Sequence, residues 1–140
     1  MKSSRLAIGF NHVATLTPDL DRLVDFYENV FGGVVTLRME KRDGHPRMYI
    51  VDFGHGVALN IFEVDAETII GEQRKQGGRG AIDHFGLAVE NLDALREAKT
   101  RLAAYGADIG EIQQLGGEWS LFFRDPDGME LEVCAPAEQQ

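Results

Sequence analysis

Two histidines and one glutamate occupy central positions in segments whose alternation predicts β-strands. His12 lies in Phe-Asn-His-Val-Ala, His84 in Ile-Asp-His-Phe-Gly, and Glu132 in Met-Glu-Leu-Glu-Val. A carboxylate within a strand is costly to bury unless it is paired or binds a cation. Two imidazoles and one carboxylate converging from three strands would form the facial triad of a divalent transition-metal site, with positions open for water or substrate oxygens. Spacing alone leaves the alternative of two hydrogen-bonded strand histidines and a solvated glutamate.

The elements that would position these side chains are predicted to occur twice in one order: a strand, a helix and three further strands. Alternating apolar residues predict strands over residues 8–17, 34–40, 47–53, 57–64, 81–89, 107–115, 118–124 and 129–134. Thr17-Pro18-Asp19 predicts the start of one helix, with a capping side chain and a proline suited to the first turn, and Gly32-Gly33 predicts its end. The other predicted helix follows the N-cap Asn91 and ends at Gly106. The polar, glycine-rich part of residues 65–80 is expected to be a linker or a mobile loop.

The two halves of the chain also align with each other. The constant offset that places His12 on His84 superimposes the halves without a gap and also places Asn60 on Glu132. Few aligned residues besides the two histidines are identical in the two halves. The agreement in element order therefore supports a duplication more strongly than the identities do. We therefore predict an α+β fold of two tandem βαβββ modules. The modules span residues 8–64 and 81–135, are joined by the linker at residues 65–80, and form one domain over residues 1–140.

Composition and charge limit the partners of the chain. Fourteen Lys and Arg against 23 Asp and Glu give a formal net charge of −9, which argues against nucleic acid because phosphate binding needs a basic surface. No apolar run approaches the roughly 20 residues of a membrane-spanning helix, and the N-terminus lacks the hydrophobic region of a secretory signal. The single cysteine, Cys134, cannot form an internal disulfide. These features predict a cytoplasmic protein that binds neither nucleic acid nor membrane.

Three segments resemble the vicinal oxygen chelate superfamily, which includes glyoxalase I, fosfomycin-resistance transferases, bleomycin-resistance proteins, methylmalonyl-CoA epimerase and extradiol dioxygenases. The segments are Asn11-His12-Val13 with residues 21–27, the run Asp83-His84-Phe85-Gly86-Leu87-Ala88-Val89, and residues 122–132. In the last segment Glu132 follows Gly128 by four residues, as the superfamily's glutamate does. The resemblance covers nearly the whole chain, from Gly9 to Ala135.

The resemblance implies that the two modules form a curled mixed sheet around a metal-centred cavity. It implies His12, His84 and Glu132 as ligands of a divalent ion, which could be Fe, Mn, Ni, Zn or Co. It also implies a homodimer, since members often complete the cavity across two subunits. The leading expectation is a metal-dependent enzyme acting on a small oxygenated organic molecule, with a lyase, isomerase or oxygenase outcome left open. The alternative is a non-catalytic small-molecule binding protein of the bleomycin-resistance type.

The chain departs from many metal-binding members of the superfamily at Asn60, because their fourth ligand at this position is usually Glu, Gln or His. Glu63 is the alternative ligand, but it shares its strand face with Ile61 and would need a bulge to approach the metal. We expect three protein ligands, with Asn60 as a polar neighbour. Glu130, on the same strand face as Glu132, is the candidate catalytic base, and its alternative role is a solvated charge at the rim.

The alternation of side chains along the predicted strands indicates further residues that could line the cavity and bind substrate. These residues are Asn60, Tyr49, Ser120, Phe122 and Arg124. The guanidinium of Arg124 could bind a substrate carboxylate or phosphate. Phe122 stands where extradiol dioxygenases carry a tyrosine, and fosfomycin transferases would be expected to have hydroxyl groups near positions 14 and 122. No named subfamily therefore matches the chain at every position.

Overall fold

The predicted order of a strand, a helix and three strands is present twice, which confirms the α+β fold of two βαβββ modules. The computed structural model describes residues 3–137. The strands of the first module are β1 (His12–Thr17), β2 (Val34–Met39), β3 (Met48–Asp52) and β4 (Ala58–Glu63), and helix α1 (Leu20–Phe31) follows β1. The strands of the second are β5 (Phe85–Ala88), β6 (Gln113–Leu115), β7 (Glu118–Arg124) and β8 (Glu130–Pro136), and helix α2 (Leu92–Tyr105) follows β5. A short 3-10 turn over Ala66–Thr68 lies between the modules.

Both helices begin and end at residues that satisfy the free backbone groups of their termini. The side-chain oxygens of Asp19 and Asn91 each accept a hydrogen bond from the backbone N–H three residues later. Gly32 and Gly106 follow the last turns in left-handed backbone conformations, with φ of 68° and 85°, which glycine adopts without strain. Neither helix of the described chain is long and apolar enough to span a membrane.

Each module forms its own four-stranded mixed sheet. The strand orders are β1-β4-β3-β2 and β5-β8-β7-β6, with a parallel pair between β1 and β4 in one sheet and between β5 and β8 in the other. In the first parallel pair Ala14 lies opposite Asn60, and in the second Gly86 lies opposite Glu132. The constant offset between the two halves of the sequence relates the residues of the first pair to those of the second. Asn60 is therefore the structural counterpart of Glu132.

The two helices lie between the two sheets. Helix α1 packs against β2, β3 and β4 of its own sheet and against α2, which in turn packs against β7 and β8. The rings of Phe26 and Phe31 in α1 lie 6.1 and 5.3 Å from the ring of Phe123 in β7. One face of each sheet is thus buried in a shared hydrophobic core. The opposite faces are largely open, as the exposure of His12 and Gly86 shows, and the two sheets do not join into one closed sheet within the described chain.

Strand β1 is shorter than the predicted strand over residues 8–17. Its parallel partner β4 begins at Ala58, which pairs with His12, and a turn precedes Ala58. The carbonyl of Asn11 still accepts a hydrogen bond of 3.2 Å from the N–H of Ala58, whereas residues 8–10 lie beyond the end of β4. The side chains of Ile8 and Phe10 are accordingly exposed.

The predicted strand over residues 107–115 pairs regularly only at β6. Before β6, Ile109 makes one isolated bridge to Phe123, and the N–H of Gly110 donates to the carbonyl of Phe122 at 2.9 Å. A glycine within a strand weakens regular pairing, and Gly110 lies at this break.

Candidate metal centre

His84 and Glu132 meet on the open face of the second sheet. His84 immediately precedes β5, and the parallel pairing of β5 with β8 brings Glu132 beside it. The Nε2 atom of His84 lies 3.5 Å from Oε1 of Glu132, and both side chains are partly buried. On β8 the neighbouring Leu131 and Val133 point into the core, so Glu132 must point to the open face. The register of the sheet thus aims an imidazole and a carboxylate at a common point.

Asp83 fixes the orientation of the His84 ring. Its Oδ2 lies 2.7 Å from Nδ1 of His84. A carboxylate only accepts hydrogen bonds, so Nδ1 donates and a neutral ring presents the Nε2 lone pair to Glu132. The hydrogen bond to Asp83 raises the pKa of His84 above its ordinary value, and the charge of Glu132 adds to this effect. The Nε2 atom of His84 and the Oε1 atom of Glu132 are thus two electron-pair donors placed to bind one cation together.

Ser120 and Phe122 on β7 complete the surroundings of this pair. The hydroxyl of the buried Ser120 donates to Oε2 of Glu132, which leaves Oε1 turned toward His84. The ring of Phe122 lies 5.1 Å from the imidazole of His84 in an edge-on arrangement. Burial and a hydrogen bond with Glu132 raise the pKa of the Cys134 thiol to about 12, so this nearby thiol is neutral at physiological pH. The structure thus brings Ser120 and Phe122 to Glu132.

The segment over residues 74–78 is fastened to one end of the same face. The guanidinium of Arg124 donates to the carbonyl oxygens of Gly128 at 2.7 Å and of Lys75 at 2.8 Å. The carboxylate of Glu130 accepts a hydrogen bond from the backbone N–H of Gly77. Part of the expected mobile linker is therefore held by specific contacts, and Arg124 and Glu130 provide them.

His12 and Asn60 lie on the first sheet, apart from His84 and Glu132. His12 is exposed, and its Nδ1 lies 2.8 Å from Oδ1 of Asn11, a contact that parallels the one between Asp83 and His84. Asn60 is half-buried on β4. Within residues 3–137 of one chain, no three His, Cys, Asp or Glu side chains come together as a metal-binding group. The chain by itself therefore supplies two of the three expected ligands at one point.

Tyr49 and Glu63 face the helical side of the first sheet. Tyr49 pairs with Ile61 in the core, and its hydroxyl accepts a hydrogen bond of 2.9 Å from Arg47. Glu63 accepts a hydrogen bond of 2.9 Å from the backbone N–H of Leu20, the first residue of α1. Successive strand residues point to opposite faces, so the structure places neither side chain with Asn60 on the open face.

Asn11 and Asp83 have roles at this site that the sequence patterns above do not assign. Each precedes a candidate histidine by one residue, and each places a side-chain oxygen on Nδ1 of that histidine. An oxygen-bearing side chain recurs before His12 and before His84, at equivalent positions of the two modules. This recurrence is the signal that could have identified both residues.

Comparison with known proteins identifies the family of the chain. The family model described as Glyoxalase/Bleomycin resistance protein/Dioxygenase superfamily matches residues 9–133. The chain is 34% identical over 131 residues to the metallothiol transferase FosB of Shouchella clausii, covering 89% of this chain and 78% of FosB. It is 29% identical over 135 residues to the putative ring-cleaving dioxygenase MhqA of Bacillus subtilis, covering 93% of this chain but only 41% of MhqA.

The fold is also similar to that of solved structures. A glyoxylase/bleomycin resistance protein/dioxygenase domain from Frankia sp. EAN1pec superimposes with a TM-score of 0.78 and 26% identity, covering 94% of this chain and 99% of that domain. The paired modules of this chain and the match of the family model over residues 9–133 point to one conclusion. The chain belongs to the Glyoxalase/Bleomycin resistance protein/Dioxygenase superfamily and has the vicinal oxygen chelate fold.

Proposed function

We propose that the protein is a divalent-metal enzyme that acts on a small oxygenated organic molecule. The observation that carries this proposal is the distance of 3.5 Å between Nε2 of His84 and Oε1 of Glu132. The other ring nitrogen of His84, Nδ1, is hydrogen-bonded to Asp83. A metal-bound histidine typically donates its other N–H to a carboxylate in this way. Membership of a superfamily whose relatives include a metallothiol transferase and a putative ring-cleaving dioxygenase supports the same function.

The third ligand in this proposal is His12 of a second copy. His12 is exposed on the open face of the first sheet, while His84 and Glu132 lie on the open face of the second. Strands β1 and β5 are both edge strands, so each can approach another chain. In a twofold-symmetric homodimer, β1 of each copy would meet β5 of the other and form two identical sites.

The residues around the pair have distinct roles in the proposed chemistry. His84 and Glu132, with His12 of the second copy, would hold a divalent ion that supplies Lewis-acid or oxygen-activating chemistry when bound. Ser120 holds the Glu132 carboxylate in place, and Phe122 provides an apolar wall beside His84. Glu130 lies two residues before Glu132 on β8 and would be the proton acceptor in a lyase or isomerase reaction, with its carboxylate held by the N–H of Gly77.

Calorimetric titration of metal-free protein with Zn²⁺, Mn²⁺, Ni²⁺, Co²⁺ and anaerobic Fe²⁺ tests the first step. We expect one ion per chain for the native protein and loss of tight binding in His84→Ala and Glu132→Gln. His55→Asn is the matched control, because His55 lies exposed in a turn with a positive φ that Asn also tolerates. Unchanged binding by His84→Ala would contradict the proposed site.

A substrate screen then separates the reaction classes. Metal-loaded protein is offered α-ketoaldehydes, catechols and CoA thioesters, which represent lyase, oxygenase and isomerase outcomes. Turnover that depends on both the metal and Glu132 supports the enzyme. Ligand binding by metal-free protein, without turnover of any class, would instead support a binding protein of the bleomycin-resistance type.

A further inference from the structure

We infer that Asp83 and Asn11 are positioning residues of unequal strength, which make His84 the firmly oriented, stronger imidazole ligand and His12 the weaker one. This inference rests on the proposed metal site and assigns a role to two residues outside its ligand set. In consequence, the metal ion would bind first at His84 and Glu132 of one chain. His12 of the second copy would then join as the more readily exchanged ligand.

The geometry of the two contacts is nearly the same. Nδ1 of His84 lies 2.7 Å from Oδ2 of Asp83, and Nδ1 of His12 lies 2.8 Å from Oδ1 of Asn11. In both modules the partner is the residue immediately before the histidine, so the two pairs are equivalent under the offset between the halves. Each contact leaves the Nε2 atom of its histidine on the far side of the ring. In both modules the imidazole is thus oriented by the same contact, between Nδ1 and a side-chain oxygen of the preceding residue.

The chemistry of the two partners differs. A carboxylate can only accept a hydrogen bond, so Asp83 requires the tautomer in which His84 carries its proton on Nδ1. An amide can present either its oxygen or its NH₂ group, so Asn11 is compatible with both tautomers of His12. A carboxylate partner also increases the basicity of the metal-binding nitrogen, which a neutral amide does far less. The two histidines therefore differ in orientation and in donor strength.

The surroundings reinforce this difference. A Cβ atom on Gly77 would collide with the carboxylate of Asp83, so the fastened segment packs closely against Asp83. Arg74 forms an ion pair of 4.0 Å with Oδ1 of the same carboxylate, while Oδ2 contacts His84. His84 is partly buried, whereas His12 and Asn11 are both exposed. Less conformational entropy is therefore lost when His84 binds an ion than when His12 does.

The first test reads the tautomers directly and needs no metal. Two-dimensional ¹⁵N NMR of the metal-free protein at about pH 9, where imidazoles are neutral, should show His84 with its proton on Nδ1. Asp83→Ala should remove this preference, whereas Asn11→Asp should impose it on His12. An unchanged His84 tautomer in Asp83→Ala would overturn the inference.

The second test measures Co²⁺ affinity by calorimetry and by the absorption of the bound ion. We expect Asp83→Asn to weaken binding by about 10–100-fold and Asn11→Asp to strengthen it. Asn11→Ala should have a smaller effect than Asp83→Ala. Equal effects of the two alanine variants, or native affinity in Asp83→Asn, would overturn the inference.

The two tests separate the inference from the proposed function. If the native protein binds no Co²⁺, the proposed function fails, and the inference fails with it as a statement about metal ligands. If the native protein binds Co²⁺ and the variants behave alike, only the inference fails. The thermal unfolding of metal-free Asp83→Asn should match that of the native protein, because the substitution preserves shape.

Discussion

The hydroxyl of Tyr27 donates a hydrogen bond of 3.2 Å to Asp125, and this buried contact joins α1 of the first module to the turn between β7 and β8 of the second. The other carboxylate oxygen of Asp125 accepts from the backbone N–H groups of Asp127 and Met129 at 2.9 and 3.1 Å. Burial, with a further contribution from the charge of Asp127, raises the pKa of Asp125 to about 6. A single residue thus shapes the turn and connects the modules.

Removing the Tyr27 hydroxyl should destabilise the chain through this contact. Tyr27→Phe leaves a buried carboxylate with one donor fewer, at a cost of about 1–2 kcal/mol in the free energy of unfolding. Tyr105→Phe is the matched control, because the Tyr105 hydroxyl bonds to Asp25 at the exposed surface and should cost less than about 0.5 kcal/mol. Urea unfolding of both variants measures the difference. Equal effects would show that the buried contact contributes nothing specific.

Asp125 should also give stability a recognisable pH dependence. Its pKa in the folded chain, about 6, lies above the ordinary value of 3.8, so the folded state binds this proton more tightly. The contribution of the protonated Asp125 to the free energy of unfolding is therefore complete below pH 3.8 and is lost as the pH rises through 6. Asp125→Asn removes this titration while keeping a side-chain oxygen for the turn.

As the pH rises from 3.8 to about 6, the free energy of unfolding of Asp125→Asn should increase relative to that of the native chain, by an amount on the order of 3 kcal/mol in total. Urea unfolding at a series of pH values measures the difference between the two proteins, which cancels the effects of other carboxylates. A difference that stays constant with pH would contradict the raised pKa of Asp125.

Mixing two variants that each lack one of the proposed histidine ligands tests whether the proposed site spans two copies. His12→Ala retains His84 and Glu132, and His84→Ala retains His12, so a mixed dimer would contain one intact ligand set. After unfolding and refolding together, about one quarter of all sites should recover tight metal binding if dimers form at random. Refolded alone, His84→Ala should bind no ion tightly, and His12→Ala should bind one only weakly through His84 and Glu132. Absence of recovery in the mixture, with dimers present by sedimentation, would argue against a shared site.

The close approach of Gly77 to Asp83 predicts an effect of an added methyl group. Gly77 and Gly80 both have positive φ, 85° and 70°, so alanine strains the backbone at either position. Only at Gly77 would the new Cβ also collide with Asp83, since nothing lies within 4 Å at Gly80. Gly77→Ala should therefore release the segment over residues 74–78 and speed its cleavage by a protease, while Gly80→Ala should change cleavage much less. Equal cleavage rates in the two variants would show that the contact with Asp83 does not hold the segment.

The sequence predicted the fold because local signals agree with the tertiary pairing in both modules. The capping residues Asp19 and Asn91 and the C-terminal Gly32 and Gly106 all act as their types suggest. The gap-free offset between the halves is reproduced in the sheet registers, so the equivalence of Asn60 and Glu132 could be derived without coordinates.

Other features depend on contacts between distant parts of the chain, which no local pattern encodes. Strand alternation assigns His12 to a sheet face, but the packing of α1 against Phe123 places one face of each sheet in a shared core. His12 therefore lies on a different open face from His84 and Glu132. The ordering of the linker likewise depends on Arg124, which is distant in sequence and whose guanidinium bonds to the linker's carbonyl groups. A polar glycine-rich composition gives no sign of such a partner.

The presence of Asn60 where the second module has Glu132 has an electrostatic consequence for the proposed site. Two neutral imidazoles and one carboxylate supply a single negative charge, so a divalent ion held by them would keep one unit of positive charge. Such a centre favours a substrate that binds as a monoanion or develops one negative oxygen during reaction. In the proposed site Asn60→Glu would cancel the remaining charge, so the residue type at this position would set which substrate charge the site prefers.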